Sequence, residues 1–209
     1  DLVKDGLAAQ TISYKPSPSQ DQLQERQYFL EVRIPQEKAQ EIANTIEVPP
    51  AGFKTHRPKN YHLTLLYLGR YEDYELPELS QKLQKTLQGS KSFSLVIDTK
   101  NFTSGKITGY PSKSFYFEIT EQDGATPLRE IRDLAARIVP RFQEQEFHPH
   151  LTVATAIPNI AEQVIENSAI SLQSEKRIEI PVTKIRLTEV ARNPQNQLLY
   201  RTKCEFALA

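Results

Sequence analysis

The chain has 209 residues, of which 38% are hydrophobic and 25% charged, a composition typical of a soluble globular protein with one core or two small lobes. Acidic and basic residues number 26 each, and a net charge of zero argues against coating long nucleic acid. Cys204 is the only cysteine, which excludes an internal disulfide, a CxxC motif and a cysteine-based zinc site.

The start of the chain differs in composition from the rest. The chain begins at Asp1 and contains no methionine, so Asp1 is not expected to be the translation start. Residues 1–26 are polar and interrupted by Pro16 and Pro18, which predicts an N-terminal arm, poorly structured or docked. No apolar run is long enough for a membrane span, and we expect a cytoplasmic monomer without a membrane or an obligate protein partner.

Strand and helix patterns alternate through the first half of the chain. Residues 28–35 alternate apolar and charged side chains and predict a strand. Apolar residues at helical spacing over 39–46 predict a helix, which the Pro-Pro pair after it prevents from continuing. A strand is predicted over 61–68. Leucines spaced by three or four residues over 76–87 predict a second helix that ends before Gly89.

Strands dominate the second half. Two strands are predicted over 93–97 and 115–119, with a long loop over 101–111 between them. Thr126 followed by Pro127 predicts a helix start, with a capping hydroxyl before a proline in the first turn. The remaining predicted elements are a strand over 147–156, a fourth helix from Pro158, and an antiparallel pair over 178–190 and 198–208. This mixture, without strict βαβ alternation, predicts the α+β class with antiparallel sheets.

Two segments of the chain echo each other. Residues 61–65 read Tyr-His-Leu-Thr-Leu, and residues 149–153 read Pro-His-Leu-Thr-Val. Side chains alternate faces along a strand, so His62 and Thr64 share one face, as do His150 and Thr152. The aliphatic residues of both segments fall on the opposite face, which suits a core. The polar faces therefore predict a cleft, because buried unpaired imidazoles and hydroxyls are costly.

Two imidazoles and two hydroxyls in one cleft suit phosphoester chemistry. Imidazole titrates near neutral pH, so one ring can act as a base and the other as an acid. Threonine hydroxyls can donate hydrogen bonds to phosphate oxygens as negative charge builds up. Only four histidines occur in the chain, so two His-x-Thr copies on apolar strands are an unusual coincidence. Neither a metal nor a cofactor is needed for this chemistry, and none is predicted.

The two segments and their flanks resemble the signatures of the two-histidine (2H) phosphoesterase superfamily. The closest resemblance is to the RNA 2',3'-cyclic phosphodiesterase family, also called 2'-5' RNA ligase. The first motif lies within residues 57–69, the second is Phe-His-Pro-His-Leu-Thr-Val-Ala over 147–154, and the resemblance covers about residues 27–208. It implies a bilobed, pseudo-symmetric α+β fold: two antiparallel sheets with helices outside and one central groove. Residues 27–209 would then form a single two-lobed domain.

The resemblance also implies roles for the motif residues. His62 would be the proton donor and His150 the proton acceptor, while Thr64 and Thr152 would bind the phosphate. The two histidine roles could be exchanged, because the site is nearly symmetric and the reaction is reversible. The implied activity is opening of a 2',3'-cyclic phosphate on an RNA end or a nucleotide, with reverse 2'-5' RNA ligation.

Further residues near the motifs are candidates for substrate contacts. His148 has the strand parity of His150, and Arg57 belongs to a basic cluster before the first motif. Phe115 and Tyr116 could supply one ring to stack on a base, although core packing explains most of that aromatic run. Tyr61 and Tyr67 fall on the face opposite His62 by simple alternation, which predicts that both pack in the core. Alternative functions are cleavage of a 2'-5' oligoadenylate, opening of a cyclic phosphate on ADP-ribose, and nucleotide or RNA binding without turnover.

Overall fold

A computed structural model describes residues 24–47, 52–106, 113–139, 147–157, 171–193 and 197–209. Three α-helices occur in these ranges: α1 Gln36–Ala43, α2 Leu76–Leu87 and α3 Ala125–Ala136. The strands are β1 Gln24–Arg33, β2 Ile46–Glu47, β3 Phe53–Thr55, β4 His62–Gly69, β5 Phe93–Asp98, β6 Phe102–Lys106, β7 Lys113–Glu118, β8 His150–Ala156, β9 Ser171–Leu172, β10 Arg177–Val182, β11 Lys184–Arg192 and β12 Leu198–Ala207.

Two four-stranded sheets carry the two His-x-Thr motifs. The strand order is β12-β11-β1-β4 in one sheet and β3-β8-β7-β6 in the other. Strands β10 and β5 form a two-stranded sheet, as do β2 and β9, and the strand pairs of all four sheets are antiparallel. Strands β4 and β8 are in contact, so the two sheets meet at the strands that carry the motifs. The predicted α+β fold with antiparallel sheets is confirmed.

The helices pack through the apolar stripes that their spacing predicts. In α2, four leucines are buried at positions 76, 79, 83 and 87. Burial of each such side chain contributes about 1.5–3 kcal/mol to folding. The α2 helix contacts both α3 and β12. The leucines of the two motifs, Leu63 and Leu151, are fully buried within the same core.

A β-bulge follows each motif at the same offset. In the β1–β4 pairing, Glu31 lies opposite Thr64 and Leu30 lies opposite Leu66, so Leu65 is an extra residue. In the β7–β8 pairing, Tyr116 lies opposite Thr152 and Phe115 lies opposite Ala154, so Val153 is extra. Each bulge is the third residue after its histidine. The two lobes therefore share an irregularity as well as a strand pattern, which the sequence spacing alone does not establish.

The first bulge corrects the prediction for Tyr67. Because the extra residue shifts the alternation by one, Leu65 and Leu66 are both buried and Tyr67 turns to the His62 face. Its ring is 52% exposed rather than packed in the core. Tyr61 precedes the bulge, and its predicted burial is confirmed.

Three other predictions about secondary structure need correction. The strand predicted over 178–190 is two strands, β10 and β11, separated at Thr183 and paired in different sheets. The loop predicted from Asn101 begins instead with β6, which pairs with β7. The α3 helix starts one residue before Thr126, whose hydroxyl bonds the Glu121 carboxylate instead of capping the helix. The fourth helix, the N-terminal arm up to residue 23 and Pro158 lie outside the described residues.

Gly124 precedes α3 with φ of 105°, where an added Cβ would lie 3.0 Å from the backbone oxygen of Ser94. Gly89 has φ of 94° but no atom within 4 Å of the same position, so it is a matched control. We expect Gly89→Ala to lower the free energy of unfolding by about 1 kcal/mol and Gly124→Ala by about 2–4 kcal/mol. Urea unfolding of both variants measures the difference, and equal losses would mean that the contact with Ser94 is unimportant.

Candidate active site

The first histidine is fixed by the turn that precedes its strand. Residues 58–60 form a short 3-10 turn, in which the Asn60 amide donates to the Arg57 carbonyl at 2.8 Å. The turn places the Asn60 carbonyl oxygen 2.7 Å from Nδ1 of His62. A carbonyl oxygen can only accept a hydrogen bond, so Nδ1 carries the hydrogen. In the neutral ring Nε2 is then the free base.

The second histidine repeats this arrangement. Nδ1 of His150 lies 2.6 Å from the carbonyl oxygen of His148, again two residues earlier. The backbone just before each motif is also held alike: the Ile34 amide donates to the Tyr61 carbonyl at 3.0 Å, and the Ile119 amide donates to the Pro149 carbonyl at 2.9 Å. Both imidazoles therefore present Nε2 as the atom that can exchange a proton.

The strand parity predicted for the motifs is observed. His62 and Thr64 are half-buried, whereas Leu63 between them is fully buried. His150, Thr152 and the Leu151 between them follow the same pattern. Strands β4 and β8 are in contact, and the two histidines are close enough for the charge of His150 to act on His62. We call the space between them the groove.

Burial lowers the pKa of both histidines from the ordinary value of 6.5. For His62 the Glu31 carboxylate and the bond to Asn60 act in the opposite direction, while the charges of Arg33 and His150 lower the pKa further. The charge of one imidazole thus reaches the other. Each ring is mainly neutral at pH 7, and the second proton to bind is resisted by the first.

His62 has aromatic neighbours that sequence reasoning missed. Its ring centroid is 5.2 Å from that of Phe29 and 5.6 Å from that of Tyr200. Tyr67 lies opposite Phe29 in the sheet, so it belongs to the same face. Phe29 could have been found from its position in the first strand, but Tyr67 could not, because its orientation depends on the bulge.

A charged pair beside His62 was also missed. Glu31 and Arg33 lie on β1 with their side chains on the His62 face, and the Glu31 side chain is fully enclosed. The alternating apolar and charged pattern of this strand is what a half-exposed strand shows, so the sequence gives no sign that the charged face is covered.

The other residues predicted to contact substrate lie in different environments. Tyr116 is half-buried, and its ring centroid lies 5.3 Å from that of His150. Phe115 is buried and packs edge-to-face on Phe53 at 5.0 Å, which places it in the core. Arg57 and His148 are exposed, and His148 precedes β8 rather than lying in it.

The described ranges contain neither a membrane-spanning helix nor a cluster of metal ligands. No helix there is long and apolar enough to cross a membrane. No group of three or more His, Cys, Asp or Glu side chains in those ranges could hold a metal ion.

Comparison with a family model shows the family of the chain. The model of the 2'-5' RNA ligase superfamily matches residues 34–194, which is more than half of the chain and includes both His-x-Thr motifs. The chain belongs to the 2'-5' RNA ligase superfamily. Membership supports an activity of the phosphodiesterase type. No curated protein matches the chain.

Several solved structures have the same fold as this chain. E. coli LigT complexed with 3'-AMP is 19% identical, with a TM-score of 0.64 over 89% of this chain and 99% of its own. TT0787 of Thermus thermophilus is 20% identical, with a TM-score of 0.61 over 87% of this chain and 97% of its own. A crystal structure described as a phosphoesterase is 20% identical, with a TM-score of 0.64 over 88% of this chain and 99% of its own. This chain therefore has the LigT-like 2H phosphoesterase fold.

The hydrogen bonds to the backbone fix the tautomers of both active-site histidines. We expect 15N NMR at pH 7.5 to show Nδ1 protonated and Nε2 unprotonated in His62 and in His150. On acidification both rings should become charged only below the ordinary value of 6.5, because burial disfavours the cation. The variants His62→Gln and His150→Gln assign the signals. A dominant Nε2–H form in either ring would contradict the arrangement.

Proposed function

We propose that the chain is a metal-independent phosphodiesterase that opens 2',3'-cyclic phosphates on RNA ends or nucleotides. The observation that carries the proposal is the repeated bond from Nδ1 of each histidine to the carbonyl two residues earlier, at 2.7 Å and 2.6 Å. It leaves two Nε2 atoms as the proton-exchanging groups of neighbouring strands. A binding site needs no such pair, whereas hydrolysis of a phosphodiester needs one base and one acid.

The chemistry balances with these two groups. Nε2 of His150 takes a proton from a water molecule as its oxygen forms a bond to phosphorus. Protonated Nε2 of His62 gives its proton to the ribose oxygen as the phosphorus–oxygen bond of the ring breaks. The product keeps a single phosphate monoester, and the two histidines have exchanged protonation states. If the 5'-hydroxyl of a second RNA end takes the place of water and the 3'-oxygen of the ring leaves with the proton of His62, the same steps form a 2'-5' linkage, which is ligation.

The threonines supply the electrostatic part. Thr64 and Thr152 lie two residues after their histidines on the same half-buried faces. Their hydroxyls are suited to donate hydrogen bonds to the non-bridging phosphate oxygens, which gain charge as the bond to water forms. The zero net charge of the chain fits a small nucleotide or an RNA end better than a long duplex.

The central test compares wild type with His62→Ala and His150→Ala on a panel of 2',3'-cyclic nucleotides, 2'-5' oligoadenylates, ADP-ribose cyclic phosphate and tRNA halves. We expect turnover of 2',3'-cyclic phosphates by wild type, with a bell-shaped dependence on pH. Each histidine variant should lose about 10²–10⁴-fold in kcat, because each removes one proton transfer. Circular dichroism checks that the variants remain folded.

The same panel separates the alternatives. Preference for 2'-5' oligoadenylate or for ADP-ribose cyclic phosphate would assign a different bond to the same site. Binding with no product in any of the three proteins would identify a nucleotide-binding module and overturn the proposal. Turnover by Thr64→Val and Thr152→Val tests the role proposed for the two threonine hydroxyls. Thr86→Val on α2, outside the groove, is the matched control.

Full activity in EDTA is a separate expectation. The two imidazoles supply both proton transfers and the hydroxyls offset the phosphate charge, so no step of the proposed mechanism uses a metal ion. Initial rates measured after dialysis against EDTA should equal those of the untreated enzyme. A loss that added Mg²⁺, Mn²⁺ or Zn²⁺ restores would contradict the mechanism.

A further inference from the structure

A carboxylate is enclosed beside His62. The Glu31 side chain is 0% exposed. Its Oε1 accepts a hydrogen bond from Nε of Arg33 at 2.8 Å and lies 2.7 Å from Nη2 of the same guanidinium, an ion pair. Its Oε2 lies 3.9 Å from Nδ1 of His62 and accepts no hydrogen bond from the described residues.

Such a carboxylate needs an explanation. Removing a carboxylate from water costs several kcal/mol, even when it is paired. An apolar side chain of similar volume would fill the same space without this desolvation cost. The β1 neighbours of Glu31 on the opposite face are apolar. The Arg33 guanidinium satisfies one oxygen of Glu31. The other oxygen faces a ring that is positively charged only when it carries a second proton.

Arg33 links this carboxylate to the turn that orients His62. Its Nη1 donates to the carbonyl oxygen of Lys59 at 3.1 Å. The next residue, Asn60, provides the carbonyl that binds Nδ1 of His62. The pair of Glu31 and Arg33 therefore acts on His62 in two ways, through charge and through the position of its backbone acceptor.

The carboxylate of the second lobe is placed differently: Glu118 also favours the protonated form of His150, but its side chain is exposed and not enclosed. Glu31 lies opposite Thr64, and the residue in the same register opposite Thr152 is Tyr116. The residue opposite His62 is Arg33, whereas the residue opposite His150 is the exposed Glu118. The backbone of the two motifs is repeated, but the charges around them are not.

We propose that Glu31 is a positioning residue that favours the protonated form of His62 over that of His150, and so selects His62 as the proton donor. What the proton is used for rests on the proposed function, but where it resides does not. Glu31 touches no reacting atom in this scheme and acts through His62.

The other charged and titratable groups around His62 work with or against this effect. Arg33 on β1 and His150 on β8 disfavour the His62 cation. His56, in the segment before the 3-10 turn, is held neutral because burial lowers its pKa to about 4. Tyr200 on β12 contacts the ring as an uncharged aromatic group. Glu31 is thus the anion that offsets Arg33 next to the ring.

The test is an NMR titration of histidine-labelled full-length protein, without substrate, in wild type and three variants. Glu31→Gln keeps the shape and removes the negative charge, so the pKa of His62 should fall. Arg33→Gln removes the opposing positive charge, so the pKa of His62 should rise. Glu118→Gln, the matched control in the second lobe, should leave the pKa of His62 unchanged. A purely structural role would not move the pKa in opposite directions in the first two variants.

The kinetic counterpart uses the cyclic phosphate that wild type turns over. Glu31→Gln should lose roughly tenfold in kcat/KM at pH 7, because less His62 is protonated, since one pKa unit corresponds to a tenfold change. The high-pH limb of the pH–rate profile of Glu31→Gln should move to lower pH. The high-pH limb of Glu118→Gln should stay where it is in wild type.

The outcomes separate this inference from the proposed function. An unchanged pKa of His62 in Glu31→Gln, or shifts of the same sign in Glu31→Gln and Arg33→Gln, would overturn the inference even if the enzyme is active. Absence of turnover in wild type would overturn the proposed function, while the titration would still report the effect of Glu31 on His62.

Discussion

The hydrogen bond from each Nδ1 to a backbone carbonyl is the interaction on which the site depends. A histidine on a strand can rotate, and either nitrogen can carry the hydrogen. The carbonyls of Asn60 and His148 remove that choice, since they can only accept. The acceptor belongs to the chain two residues before the ring, so orientation is set locally and survives small shifts between the lobes. The hydrogen bond at Nδ1 therefore determines that Nε2 is the nitrogen that can exchange a proton.

Strand alternation gives the two faces of each motif different roles. The leucine after each histidine is fully buried and holds the strand against the core. The threonine after that returns to the groove beside the histidine. A three-residue pattern therefore supplies packing and chemistry together. Because β4 and β8 come from different sheets, the site needs both lobes, and neither sheet alone holds an acid and a base.

Much of this could be predicted from the sequence, because it depends on periodicity. The faces of His62, Thr64, His150 and Thr152 follow from alternation, and the stripe of α2 follows from leucine spacing. Tyr67 could not be predicted, since a single extra residue at Leu65 reverses the alternation and nothing in the letters marks a bulge. The break at Thr183 was visible in principle. Buried residues fall at even positions up to Val182 and at odd positions from Ile185 to Leu187, which is a change of parity that a regular strand without a bulge cannot have.

Glu31 shows a different limit of sequence reasoning. A charged residue alternating with apolar ones is normally a solvated residue, and only the three-dimensional covering of β1 makes it an enclosed one. Arg33 is two residues from Glu31 in the sequence, so the pair can be seen in the alternating pattern. The effect of the pair on His62 cannot be seen there, because it depends on the distance from Glu31 to His62 on the neighbouring strand.

The paired bulges also bear on how such a site can change over evolutionary time. A bulge is the position where a strand can lose one residue and keep its ladder on both sides. Deletion of Leu65 would remove the extra residue while Thr64 stays opposite Glu31 and Leu66 opposite Leu30, so Tyr67 would remain on the face of His62. One codon can thus be lost or gained at this position while the acid–base pair and the exposed Tyr67 ring keep their places in the sheet.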